Sequence, residues 1–314
     1  MTLLLSERDV QSLLDMKEVI EIVEEAFRRE ALGEATNFMR TRSKGTGSVL
    51  NVMHASLSYL GKGGLKAYMS SKAGTKFFVV LFDSADSTPL AVMGADYLGR
   101  FRTGAVSGVA TKHMYRKPSA TLAIFGSGRQ ALTQVLAVSA VTSLEEVRVW
   151  SPNIVHREDF ARRLVELGFR AKALESAERA AEGSQVGCAI TSSTEPFLDV
   201  QSLNSIEHLN LCGVNDPEHA EITPEAVGAF RTIVIDDLPQ AKVEYGDLIQ
   251  AAQAGRFSWD TAIELKNVVG GKVIPNGKTL FKSGGVALED VAVASMLFEK
   301  ASKSGKSFPK VELV

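Results

Sequence analysis

Thr121-Leu-Ala-Ile-Phe-Gly-Ser-Gly-Arg-Gln-Ala131 decides the fold. The apolar run Leu122 to Phe125 reads as a buried parallel strand that passes into Gly126-Ser-Gly128 and then a helix over Gln130 to Ala140. Gly126 permits the tight turn, Gly128 lets backbone N–H groups approach a pyrophosphate, and Ala131 permits close helix–strand packing. The helix N-terminus then faces the anion with its partial positive charge. A second strand, Val147-Arg-Val-Trp150, arrives about twenty residues later, as a βαβ unit requires. The stretch predicts a dinucleotide site, with Ser127, Arg129 and Gln130 among its lining residues.

Beyond this stretch the chain alternates strand and helix. A helix is expected over 157–167, a strand at Ala171–Ala173 and a short helix near 176–182. Strands follow at Val186–Thr191, Leu209–Cys212 and Thr232–Ile235, then helices at about 240–253 and 260–265. This is the pattern of a doubly wound parallel sheet, an α/β fold of Rossmann type. Ligands in such sheets sit beyond the carboxyl ends of the strands, which selects Ser151 to Asn153, Thr191-Ser192-Ser193 and Gly213 to Asp216. Where an acidic residue would hydrogen-bond a ribose 2′-OH, this chain has Ser151-Pro-Asn153, followed by His156 and Arg157. A hydroxyl and a cation suit a 2′-phosphate, so the expected cofactor is NAD(P)H, leaning to NADP.

Upstream, the capping-box pattern Ser6-Glu-Arg-Asp9 predicts a short helix, and Asp15 caps a longer one, Met16 to Leu32. From Thr36 the pattern turns to strands: Phe38 to Ser43 and Ser48 to Met53 form a hairpin, followed by Gly64 to Met69, Phe77 to Phe82 and Pro89 to Met93. Arg40 and Arg42 share parity and so one face, where they form either a carboxylate clamp or a solvated edge. Lys66 stands inside an apolar surround. A helix is expected from about Arg102 to Tyr115, which puts Arg102 where its charge gains nothing from the helix dipole. The linker Arg116 to Ser119 leads into the nucleotide domain, and a Gly284-Gly285 turn precedes a final helix, Glu289 to about Lys303.

Composition narrows the function classes. The 314 residues suffice for two domains, with 45% hydrophobic and 23% charged residues. A net charge of −2 gives no reason to expect nucleic acid or an anionic membrane. No apolar run is long enough to span a bilayer, and the N-terminus lacks a basic start, so a cytoplasmic protein is the expectation. Cys188 and Cys212 fit neither a disulfide framework nor a zinc site, and no metal is expected.

Taken in order, Gly64-Leu-Lys66, Pro89-Leu-Ala-Val-Met93, Arg102-Thr-Gly-Ala105, Phe125 to Ala131, Asp236-Asp-Leu-Pro-Gln-Ala241 and Phe281 to Asp290 resemble the ornithine cyclodeaminase/mu-crystallin family. The resemblance covers nearly the whole chain. It implies a Rossmann domain (117–288) and a smaller α+β domain for substrate binding and dimerisation (1–116 with 289–314), hence a homodimer. It also implies a small amino or imino acid substrate, its carboxylate held by Arg40 or Arg42, Lys66 and Arg102 while its α-carbon faces the nicotinamide. Thr103, beside Arg102, and the Gly284-Gly285 turn join the dinucleotide candidates.

Relatives in this family cyclise ornithine, act as alanine dehydrogenases or reduce cyclic ketimines. The cyclodeaminases carry two acids where this chain has Asn51 and Asn215, and an amide cannot act as general base. Asp216, one residue on, restores a carboxylate if the loop shifts. His54 stands where the family usually has proline and is either a substrate-pocket group or a packed neutral histidine. The expected activity is an NAD(P)H-dependent oxidoreductase at an α-carbon: a ketimine reductase first, with an alanine-type dehydrogenase close behind. Lys66 would also protonate the imine nitrogen. The alternatives are an ornithine cyclodeaminase and a non-catalytic mu-crystallin-like binding protein.

Overall fold

A computed structural model describes residues 1–313 and separates into two units: Met1–Val106 together with the chain from Val286, and Ser107–Gly285. In the second unit the apolar runs form eight parallel strands. Their order is Ile263–Glu264, Thr232–Ile235, Thr279–Lys282, His208–Leu211, Val186–Ala189, Ser119–Phe125, Ser143–Trp150 and Ala171–Ala173. From Ser119–Phe125 the chain winds outward to Ala171–Ala173, then returns to Val186–Ala189 on the other side. That reversal is the topological switch point, with the crevice beyond the ends of the two central strands. Leu122, Ala123, Ile124 and Phe125 are fully buried, as a sheet covered on both faces demands.

Two helical expectations in this unit are corrected. The helix expected over 240–253 is two, Leu238–Glu244 and Gly246–Gln253, broken at Tyr245. Tyr245 leaves helical geometry so that its phenol reaches Asp236, and a Cβ on Gly246 would come within 2.0 Å of the His219 carbonyl oxygen. Over 260–265 the chain makes a single 3-10 turn and a two-residue strand, with the helix following at Leu265–Val269.

The first unit contains a seven-stranded sheet. Its order is Lys310–Val311, Thr2–Leu5, Pro89–Gly94, Gly74–Asp83, Lys62–Ser71, Ser48–Leu57 and Ala35–Gly45. All pairs are antiparallel except Thr2–Leu5 with Pro89–Gly94. Thr2–Leu5 is too short to carry a period and forms by pairing with residues 91–93. The register Met53, Lys66, Val79, Met93 lines one face. The final helix, Ala287–Lys303, packs on that face so closely that a Cβ on Gly64 would sit 3.3 Å from a Val291 methyl.

A further helix, Asp96–Met114, begins six residues before Arg102. Its cap is Glu7, whose carboxylate accepts from the N–H groups of Asp96 (2.7 Å) and Tyr97 (3.2 Å). A cap supplied from so far along the chain leaves no local signal. Arg102 therefore lies in the second turn rather than at or before the first. Among the described residues, no helix is long and apolar enough to cross a membrane.

Candidate active site

Lys66 projects from the centre of strand Lys62–Ser71 and is 3% exposed. Its Nζ donates to Asp290 Oδ1 at 3.0 Å and stands 5.8 Å and 5.5 Å from the ring centres of Tyr68 and Phe77. These are cation–π distances. Arg102 reaches the same carboxylate oxygen through Nε at 3.1 Å and binds Glu289 Oε2 through Nη1 at 2.7 Å. Glu289 and Asp290 are fully buried in the first turn of the final helix. Burial, and then the neighbouring Arg102 charge, push the Lys66 ammonium down to about 8 against the pull of Asp290, with Arg40 adding to the lowering. Burial also works against Arg102, but Asp290 and Glu289 outweigh it and raise that group above its ordinary value.

The two arginines of the early strand differ in burial. A bulge between Phe38 and Thr41 leaves Met39 and Arg40 between paired positions, and Arg42 pairs with Asn51, so both arginines lie on the Lys66 face as their parity implies. Arg40 is buried, with its Nε 3.4 Å from Met53 Sδ, and Met53 is the register partner of Lys66. Arg42 is exposed. Asn51 is buried on the Lys66 face, opposite Tyr68, and its Nδ2 donates to the Val49 carbonyl at 3.3 Å. His54 pairs with Leu65 and so points to the other face, where its ring stacks on Phe38 at 4.6 Å. The structure thus gathers Arg40, Lys66, Arg102 and Asn51, with Arg42 opposite Asn51 on the same face but exposed, and leaves His54 on the other face. Thr103 is buried, and its hydroxyl donates back to the Gly99 carbonyl.

In the second unit Gly126 has φ +108°, and a Cβ there would lie 2.6 Å from the Ile190 carbonyl oxygen, so the turn requires glycine. Gly128 faces open space, and Ala131 is fully buried against the sheet. Helix Ala131–Val141 starts without a side-chain cap, and its first N–H, that of Ala131, donates to the Gly128 carbonyl at 3.1 Å; the end of the helix dipole still favours an anion there. Arg129 and Gln130 are exposed beside this turn. Ser127 Oγ lies 2.8 Å from Ser151 Oγ, tying the glycine loop to the end of the second strand. There Arg157 Nη1 donates to the Ser151 carbonyl at 3.0 Å, and Asn153 caps the next helix. These features fit a dinucleotide.

The loops facing that turn are held by buried acids that sequence reading did not single out. Glu221 accepts from Thr191 N (2.9 Å), Thr191 Oγ1 (2.6 Å) and Gly213 N (3.1 Å). Asp247 in turn accepts from Glu221 N and Ile222 N, and Lys282 Nζ donates to Asp247 Oδ2 at 2.7 Å and to the Val214 carbonyl at 2.8 Å. Burial raises the Glu221 carboxyl, with Lys282 opposing. Burial pulls Lys282 down, but Asp247 and Glu221 outweigh it and lift the ammonium above its usual value. Ser193 N donates to Thr191 Oγ1, and Ser192 is exposed. The N–H groups of Gly284 and Gly285 both donate to Asp236, so this turn is braced from within. Asn215 is exposed, and the exposed Asp216 accepts from Glu218 N in an Asx turn.

A family model described as the ornithine cyclodeaminase/mu-crystallin family matches residues 1–305. The chain is 32% identical to the alanine dehydrogenase of Archaeoglobus fulgidus, across 96% of this chain and 95% of that one. The solved Thermococcus litoralis Δ1-pyrroline-2-carboxylate reductase, in complex with NADH and L-proline, is similar with a TM-score of 0.92. It is 31% identical and covers 99% of this chain and 100% of that one. An archaeal alanine dehydrogenase dimer with bound NAD gives a TM-score of 0.89 at 30% identity, covering 98% of this chain and 99% of that one. The chain therefore belongs to the ornithine cyclodeaminase/mu-crystallin family.

Proposed function

We propose that the protein is an NAD(P)H-dependent oxidoreductase that reduces the α-carbon of a small imino acid. A cyclic ketimine of the Δ1-pyrroline-2-carboxylate type is the first substrate. The imine of pyruvate with ammonia, giving alanine, is the second and is favoured by the relative named for that activity. The observation that carries this reading is the buried Lys66, held beside Arg102 with its ammonium near the range where it can release a proton.

Arg40, Lys66 and Arg102 bind the substrate carboxylate, which fixes the α-carbon and nitrogen in place. Lys66 gives its proton to the imine nitrogen. The glycine loop, Ser127, Ser151 and Thr191 hold the dinucleotide, with Arg157 and Ser151 favouring the 2′-phosphate of NADP(H). When bound, the reduced nicotinamide supplies a hydride. Ornithine cyclisation is disfavoured because Asn51 and Asn215 are amides and Asp216 is engaged in its own turn. The outward face of the first unit's sheet carries exposed Phe38, Leu50, Met69 and Phe78, an apolar surface suited to a second copy, so a homodimer is part of the proposal.

The test follows reduced-nicotinamide absorbance with Δ1-pyrroline-2-carboxylate and with pyruvate plus ammonia, alongside an ornithine-to-proline assay. Consumption with the cyclic imine, faster with NADPH than NADH, and no proline from ornithine is the expected result. Proline and ammonia from ornithine without net nucleotide consumption would reject it.

A further inference from the structure

We infer that Asp290 is a positioning residue: its carboxylate aims the Lys66 ammonium and fixes the spacing between Lys66 and Arg102. The inference rests on the oxidoreductase reading above and names a residue that neither the motif reading nor the relatives' names assign. One oxygen, Oδ1, serves both cations, at 3.0 Å from Lys66 Nζ and 3.1 Å from Arg102 Nε. The bland explanation of an acid in a first turn is helix capping or the helix dipole. Here, however, the Leu288 N–H is taken by Asn37 Oδ1 at 3.1 Å. Asp290 Oδ2 is buried without a hydrogen-bond partner among the described residues. Asp290 thus caps nothing in its own helix; its Oδ1 instead joins Lys66 and Arg102.

The surroundings show why Lys66 needs it. Facing Lys66 are Arg102 and the open side of Gly99 from the helix Asp96–Met114, and Arg40 from the first hairpin strand. The rings of Tyr68 and Phe77 and the Asp290 carboxylate complete the setting. Burial and both arginines favour the neutral amine, and Asp290 opposes them. Glu289 binds Arg102 instead. During reduction the imine carbon takes the hydride supplied by the reduced dinucleotide, the C=N π pair collects on nitrogen, and one proton from Lys66 Nζ completes the amine. Lys66 is left neutral and regains its proton from water. Asp290 keeps the ammonium populated for each cycle.

The experiment is a 13Cε NMR titration of Lys66 in lysine-labelled protein, assigned by the signal lost in Lys66→Met, together with the pH profile of kcat/KM. In the unchanged protein the midpoint is expected near about 8. In Asp290→Asn it should fall by about one unit or more, leaving roughly fivefold less protonated lysine at the original midpoint, and the alkaline limb of the rate should move down with it. Asp290→Glu should restore both in part, and Glu289→Gln should leave the Lys66 midpoint in place. Asp290→Ser supplies a second charge-free variant if the asparagine protein does not fold. An unmoved midpoint in the charge-free variant overturns the inference. Absence of imine reduction by the unchanged protein would reject the oxidoreductase reading, while the titration alone still decides whether Asp290 governs Lys66.

Discussion

Replacing Lys66 by methionine is expected to lower imine reduction by about 10²- to 10⁴-fold, the range of a lost general acid. The methionine fills the volume of the lysine stem, and Asp290 retains its bond to Arg102, so the fold should persist. The proposed dinucleotide residues surround Gly126–Gly128 in the other unit, so affinity for the nucleotide, read by fluorescence titration, should be unchanged. The pH sign follows from Lys66 lying near about 8, below the usual lysine value. The proton donor is present below that pH, so the reductive rate should hold there and decline above it. Full activity in Lys66→Met would remove Lys66 from the chemistry. Joint loss of activity and nucleotide binding would indicate a structural effect instead.

Replacing Lys282 by methionine should destabilise the second unit by about 3–5 kcal/mol, the cost of leaving a buried charge without its partner. Lys282 and Asp247 are both fully buried, and their contact at 2.7 Å is accompanied by the Lys282 bond to the Val214 carbonyl. Without the ammonium, Asp247 and Glu221 remain as neighbouring buried acids that have lost the Lys282 charge opposing them. Because Glu221 anchors Thr191 and Gly213, nucleotide affinity should fall along with stability. Chemical denaturation with and without NADPH measures both effects. A variant as stable as the parent would show that water or loop movement replaces the lysine.

Local features were legible and remote ones were not. The glycine turn is read correctly because strand, turn and helix are contiguous, and the capping box at Ser6 forms with Asp9 as its spacing implies. Lys66 is visible as a cation in an apolar strand. Arg102 attracts notice for a reason the structure corrects, since the true helix start is capped by Glu7. The choice between Arg40 and Arg42 turns on burial, which side-chain parity cannot register because both lie on one face. Glu289 and Asp290 stay hidden because two acids in a first turn match ordinary dipole preferences, and the Lys66 partner lies 224 residues away. A pair of acids opening an otherwise apolar helix was the available signal. Glu221, Asp247 and Lys282 meet only once the parallel strands are assembled.

The most direct measurement is the position of the label after reduction of Δ1-pyrroline-2-carboxylate with NADPH carrying deuterium at both nicotinamide C4 positions. The expected product is proline carrying one deuterium at its α-carbon. Unlabelled proline, or no proline from the imine while ornithine is converted, would contradict hydride transfer to an imino acid held by Arg40, Lys66 and Arg102.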